Sequence, residues 1–276
     1  MSRSPKGSAT SIDDRDIEGL MAFLEVLLRL GGAAVMPHFR EPIPVDDKRE
    51  GQPGFDPVTV ADRDAEKAMR AAIKSRYPEH GIFGEEYGVE RGESGLTWVL
   101  DPIDGTRSYV AGMLHWGVVA GLYDGERTVL GGVYQPVVDE LFTGNGRTAW
   151  CESQGRKQEL SVRACAGLDE AVLCCTHPDV FAGAADLNAF HAVRERTRLS
   201  RYGGDCYLYC LLAMGSIDLC VEASLKPYDI QGIIPVVQGA GGIITTWDGG
   251  SPEDGGRIVA AGDPRVHAEA LELLAG

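Results

Sequence analysis

Leu96-Thr97-Trp98-Val99-Leu100-Asp101-Pro102-Ile103-Asp104-Gly105-Thr106 is the stretch on which the reading of this chain turns. The run from Leu96 to Leu100 is apolar and rich in strand-forming side chains, and it delivers two carboxylates three residues apart. Pro102 has no backbone N–H to give to a ladder, so the strand is expected to end there. Gly105 then frees the backbone where the chain must turn. On such a turn Asp101 and Asp104 aim at one point, and two like charges held close repel unless something positive lies between them. A divalent ion answers that need, and oxygen ligands alone favour a hard one such as Mg2+. Gly105 and Thr106 follow at once with backbone N–H groups and a hydroxyl, which suit an anion such as phosphate. Asp-x-x-Asp by itself equally describes an Asx-Pro turn with solvated carboxylates. The full string Asp-Pro-Ile-Asp-Gly-Thr is far more specific.

Upstream of the turn, residues 1–12 are polar and expected to be disordered. From residue 13 to about 39, apolar side chains recur at Ile17, Leu20, Phe23, Leu24, Leu27 and Leu28, the spacing of an amphipathic helix. Gly31 and Gly32 weaken its middle and Pro37 bends or ends it. Residues 41–57 are rich in Pro, Gly and charge and read as a mobile loop of the kind that flanks active sites. Residues 59–77 form a second helix, capped by Thr59 or Asp62. Downstream, apolar runs at 116–123, 128–134, 140–143 and 148–151 make a meander, with Asp124-Gly125 as a hairpin signal. Residues 13–151 therefore read as a half built of helices and an antiparallel sheet. Polar residues 152–168 lead into a second half, 152–276. There strands at 171–176, 198–202, 217–222, 243–247 and 257–261 alternate with helices at 186–196, 203–214 and 229–240. A last helix opens at Asp263-Pro264.

Composition bounds the function. Hydrophobic residues make up 44% of the 276, enough for a sizeable core. The net charge of −15 argues against nucleic-acid and anionic-membrane partners, which need basic surface. Seven cysteines, without a Cys-x-x-Cys pair, read as buried free thiols of a reducing compartment. The apolar stretch 20–36 contains Glu25 and Arg29 and reads as too short and too charged to span a bilayer. A soluble cytoplasmic protein is expected.

The turn string resembles the first signature of the inositol monophosphatase family, Mg2+-dependent and Li+-sensitive phosphomonoesterases. Other segments extend the likeness: Thr59-Val60-Ala61-Asp62, Gly84-Glu85-Glu86, and Pro227-Tyr228-Asp229-Ile230 followed by Gly239-Ala240-Gly241-Gly242. Tyr228 replaces the family's usual Trp and leaves the metal role of Asp229 intact. The resemblance runs from about Ile17 to the end and implies a layered αβαβα sandwich, α+β in its first half and α/β in its second. It implies two or three Mg2+ ions held by Glu85, Asp101, the Ile103 carbonyl, Asp104 and Asp229, with Li+ as an inhibitor. It implies in-line attack by water that Asp62 and Thr106 orient and deprotonate, a small-molecule phosphate ester as substrate, and a homodimer. Read without the family, Asp62 serves the helix dipole, Glu85-Glu86 is solvated surface and Asp229 is an N-cap.

The substrate is read from residues beyond the metal. The resemblance assigns Gly105, Thr106, Gly204, Asp205 and Glu222 to substrate binding. Two carboxylates, Asp205 and Glu222, favour a cation over a neutral polyol at the end away from the phosphate. L-histidinol phosphate, with its amine and imidazole, fits. Thr176-His177-Pro178-Asp179, Gly203-Gly204-Asp205-Cys206-Tyr207 and Leu225-Lys226-Pro227-Tyr228-Asp229-Ile230 resemble the histidinol-phosphatase branch. By position alone Asp205 is a helix cap, and His115, His177 and His191 are structural hydrogen-bonders. An inositol or sugar monophosphatase is the alternative. A nucleotide 3'-phosphatase is disfavoured by short loops, and a catalytically dead binding protein by the intact acids.

Overall fold

The structure, a computed structural model, describes residues 14–48 and 57–275. The start expected to be disordered and the centre of the expected 41–57 loop lie outside the described residues.

Helix α1 spans Asp14–Val35, and its buried side chains Leu20, Leu24, Leu27, Leu28 and Val35 keep the expected spacing. Contrary to the sequence reading, Asp16–His38 is long and apolar enough to cross a membrane. Its buried face nevertheless packs with Trp98, Leu100, Val118 and Leu130, as a core helix does. The expected loop is in part a ribbon: β1 (Val45–Asp47) pairs antiparallel with β2 (Pro57–Thr59), whose three residues are all buried. Helix α2 (Val60–Arg76) starts at Thr59. The Thr59 hydroxyl accepts from Ala61 N at 3.1 Å, and the Asp62 carboxylate accepts from Thr59 N at 2.8 Å. Both residues thus share the cap, in a capping box.

The first sheet contains β3 (Gly81–Gly84), β4 (Gly88–Glu90), β5 (Thr97–Asp104), β6 (Gly117–Tyr123), β7 (Thr128–Gln135), β8 (Glu140–Gly144), β9 (Ala149–Ser153) and β10 (Arg156–Glu159). A short helix, α3 (Thr106–Val110), separates β5 from β6. The order is β10-β9-β8-β7-β6-β5-β3-β4, antiparallel throughout except that β3 runs parallel to β5. Strand β10 falls inside the stretch read as a polar passage. All four of its residues are exposed, so no apolar alternation marks it, and its charges blunt the sheet edge.

The second sheet draws on β11 (Val172–Cys175), β12 (Leu199–Tyr202), β13 (Leu219–Leu225), β14 (Ile243–Thr246) and β15 (Gly256–Ala261). Its order is β12-β11-β13-β15-β14, with β11 parallel to both neighbours and β15 antiparallel to both of its own. The helices are α4 (Ala184–Arg196), α5 (Cys206–Ala213), α6 (Pro227–Ile230), α7 (Ile234–Gly239) and α8 (Pro264–Leu274). Helices α1 and α2 cover the outer face of the first sheet, α5 and α7 fill the space between the sheets, and α4 and α8 cover the second sheet. This is the expected five-layer αβαβα sandwich. All seven cysteines are free and buried, as expected.

The single helix expected at 229–240 is two. Gly232 separates α6 from α7, and a Cβ there would stand 2.5 Å from Val119 Cγ1 and 2.7 Å from the Ala120 carbonyl oxygen. The backbone presses directly onto β6, which a continuous helix with side chains would not allow. Gly131 of β7 makes the reciprocal approach, its Cβ position lying 2.3 Å from the Gly232 oxygen. Gly131→Ala is therefore expected to cost about 1–3 kcal/mol through overpacking, read as a lower urea midpoint. An unchanged midpoint would mean that this contact has slack.

Candidate active site and metal centre

Strand β5 continues through Pro102 instead of ending there, while its pairing with β6 shifts register between Asp101 and Asp104. The proline sits where the ladder slips, so its missing N–H forfeits no bond. Asp101 Oδ1 accepts from Ile103 N at 3.0 Å, which bends the strand end. Gly105 has φ of +89°, and a Cβ there would meet the His115 carbonyl oxygen at 2.7 Å and Asp205 Cγ at 2.9 Å. Conformation and space both demand glycine at that point.

Asp101, Asp104 and Asp229 each offer one carboxylate oxygen, and these oxygens all lie within 4.8 Å of one another. Asp104 accepts from the backbone N–H of Cys206, the first residue of α5. Asp229 is the third residue of α6, not its cap; Lys226 holds the cap position and donates its N–H to Asp229 Oδ2 at 2.7 Å. Burial, then Glu85, Asp104 and Asp229, push Asp101 well above the usual carboxylate range. Burial, then Asp205 and Asp229, do the same to Asp104. Asp229 is pushed up to about 7, chiefly by burial. An all-oxygen set of like charges, one buried and two half-buried, is short of positive charge, and a hard divalent cation fits it.

Glu85 stands just outside that triplet. Its N–H donates to the Leu100 carbonyl at 3.2 Å and its side chain lies against Asp101. Its Oε1, however, is 2.8 Å from Lys48 Nζ, which also pairs with Glu86. Lys48 was not foreseen. The only signal was a cation in a loop suspected of flanking the site, and register alone does not say which acid it meets.

Asp62 and Thr106, expected to act together on a water, are each hydrogen-bonded to a neighbour in the chain. Asp62 is fully buried, and its Oδ2 accepts from Thr59 N at 2.8 Å and from Thr59 Oγ1 at 2.6 Å. Its other oxygen, Oδ1, has no partner. The Thr106 hydroxyl donates to the Ile103 carbonyl at 3.0 Å, so that oxygen is already engaged through one of its two lone pairs. The capping box holds Asp62 on its own helix.

Beside the acids opens a cavity of about 420 Å³, lined by Asp104, Gly105, Thr106, Arg107, Asp205 and Glu222 among others. Gly204 does not line it, being buried against Leu208 with φ of +134°. Asp205 occupies the cap position of α5 yet caps nothing with its side chain, and its φ is +45°. Its Oδ2 accepts from Ser108 Oγ at 3.0 Å instead, and burial pushes it up to about 6. Glu222, 2% exposed on β13, accepts from the Thr176 N–H and is pushed up to about 8 by burial. Nothing in the local sequence marks Ser108 for the role of holding Asp205, 97 residues away; that pairing needed the fold.

Comparison with known proteins bears on the same features. The family model for the inositol monophosphatase family matches residues 16–275. The chain is 36% identical to the bifunctional phosphatase IMPL2, chloroplastic, of Arabidopsis thaliana, over 97% of this chain and 78% of that one. It is 33% identical to the histidinol-phosphatase of Mycobacterium tuberculosis, over 83% of this chain and 89% of that one. An inositol monophosphatase from Zymomonas mobilis superposes with a TM-score of 0.82 at 35% identity, covering 94% of this chain and 98% of that one. The matches extend over nearly the whole chain and take in every segment that carries an acid of the site, and on that ground the protein belongs to the inositol monophosphatase family and is a phosphatase, a phosphoric monoester hydrolase.

Proposed function

We propose that this phosphatase hydrolyses L-histidinol phosphate, with Mg2+ held by Asp101, Asp104, Asp229 and Glu85. The observation that carries the substrate is the pair Asp205 and Glu222, which line the same cavity as Asp104 and Thr106. Burial disfavours the charged form of both carboxylates and raises them to about 6 and about 8, even though His115 and Arg107 pull Asp205 the other way. A protonated amine or imidazole adds positive charge beside them, which favours their ionised forms, and a neutral polyol does not. The likeness to the Mycobacterium tuberculosis histidinol-phosphatase supports the same reading.

Bound Mg2+ would polarise the phosphoryl oxygens and lower the pKa of the attacking water. Asp62 keeps one buried oxygen free to hold that water and take its proton. Gly105 and Thr106 line the cavity where the phosphoryl group binds. No Ser or Cys nucleophile is called for. The cysteines for which burial raises the thiol, Cys206 and Cys210 among them, are poor thiolates.

The second reading is an inositol monophosphatase, supported by the Zymomonas mobilis likeness. A panel of phosphomonoesters assayed with Mg2+, with and without Li+, separates the two. Asp205→Asn and Glu222→Gln are each expected to lower kcat/KM on histidinol phosphate by about 10–100-fold, the range of one charge-assisted hydrogen bond. The loss on inositol 1-phosphate should be several-fold smaller. Equal losses on both esters would remove the substrate argument.

A further inference from the structure

The Glu85 loop is held from beneath by an ion pair on α2 that touches none of the clustered acids. Glu66 and Arg70 stand one turn apart on α2, and Glu66 is fully buried. Glu66 Oε1 accepts from Arg70 Nε at 2.7 Å and from Tyr87 N at 3.2 Å, while Oε2 accepts from Glu86 N at 2.7 Å. Arg70 reaches past it to donate to the Gly88 carbonyl. The chain closes so tightly on this carboxylate that a Cβ at Gly84 would stand 2.0 Å from Glu66 Oε1. Two successive backbone N–H groups aimed at one buried anion make a nest whose anion the protein itself supplies. The residues so fixed are the ones that flank Glu85 on its C-terminal side.

We propose that Glu66 and Arg70 are positioning residues for the metal centre, locking the β3–β4 turn so that Glu85 is presented to Asp101. This rests on the reading of Glu85 as a metal ligand. Glu85 is also held by its backbone bond to Leu100, which fixes the strand end, and by Lys48, which bridges its side chain to Glu86 without fixing the backbone of the turn. Without the clamp, the backbone N–H groups of Glu86 and Tyr87 lose their buried acceptor, and the ligand would have to be ordered each time a metal binds. Its entropy would then be charged against metal affinity and not against the chemical step.

The test is Glu66→Gln, titrated with Mn2+ alone by electron paramagnetic resonance, with amide hydrogen exchange read on the metal-free protein. Expected are an Mn2+ affinity about 10–100-fold weaker and faster exchange at the Glu86 and Tyr87 amides. Exchange in β6 and β7 should be unchanged, and kcat at saturating Mg2+ should stay within about threefold of wild type. Should Glu66→Gln fail to fold, Arg70→Lys keeps the charge beside Glu66 and gives up the planar fork that also reaches Gly88. The same changes are expected there, smaller in size. Faster exchange at Glu86 and Tyr87 with unaltered Mn2+ binding would reduce the pair to a purely structural one and overturn the proposal. So would a kcat at saturating metal that falls as far as the affinity. Wild-type protein that takes up no Mn2+ would bring down the metal reading itself, and this proposal with it.

Discussion

Asp104→Asn is expected to lower phosphate release by about 10³-fold, some 4 kcal/mol of the barrier, while leaving the fold intact. The two halves of that expectation come from different bonds. The amide keeps an oxygen that can still accept the Cys206 N–H, so the junction between β5 and α5 retains its link. What is lost is one of three carboxylate charges whose oxygens lie within 4.8 Å. Without metal that loss is a relief, because burial together with Asp205 and Asp229 already holds Asp104 well above the usual range. The metal-free variant should therefore melt no lower than metal-free wild type, and Mg2+ should no longer raise its melting temperature. Near-normal turnover in this variant would sink the metal assignment. A lower melting temperature without metal would show that the charge matters for folding.

Metal removal should also invert the dependence of stability on pH. Asp229 stands at about 7 in the folded protein, chiefly through burial, and Asp101 and Asp104 are raised in the same direction. An unfolded Asp titrates at about 4. Between those values the metal-free folded state holds protons that the unfolded chain has released, so its stability falls as pH rises. The contribution is complete below about pH 4 and is lost as pH passes through about 7. A divalent cation favours the charged carboxylates, so Mg2+ should bind more tightly as pH rises and expel protons as it does. At a hundred times its dissociation constant a ligand adds about 2.7 kcal/mol, worth roughly 5–10 °C in a chain of this size. Melting curves at pH 5, 7 and 8.5 with EDTA or Mg2+ should diverge progressively. Parallel curves would mean that these acids do not compete with protons for a metal.

The architecture was largely legible because most of its elements declare themselves locally. Spacing marked α1, apolar runs and the Asp124-Gly125 hairpin signal marked β6 to β9, and Asp263 caps α8 by accepting from Arg265 N at 3.0 Å, as its place before Pro264 foretold. The misses share a cause. Strand β10 carries no apolar face, and the break at Gly232 answers to β6 and β7, far away along the chain. The course of β5 through Pro102 depends on a register slip against β6, which no local rule foretells.

At the site, the sequence by itself determined the chemistry on offer: two aspartates on one strand end, a glycine that must turn, and further acids in segments resembling the family's signatures. Only the tertiary structure decided which of them meet. It joined Asp229 to Asp101 and Asp104, set Lys48 against Glu85, turned Asp205 from its helix toward Ser108, and left Asp62 in its capping box with one oxygen unpaired. Caps, turns and periodicity act across a few bonds and can be read from neighbours in the chain. The choice of partner for a buried charge is made by packing between layers, where burial strengthens every pairing and penalises every charge left alone.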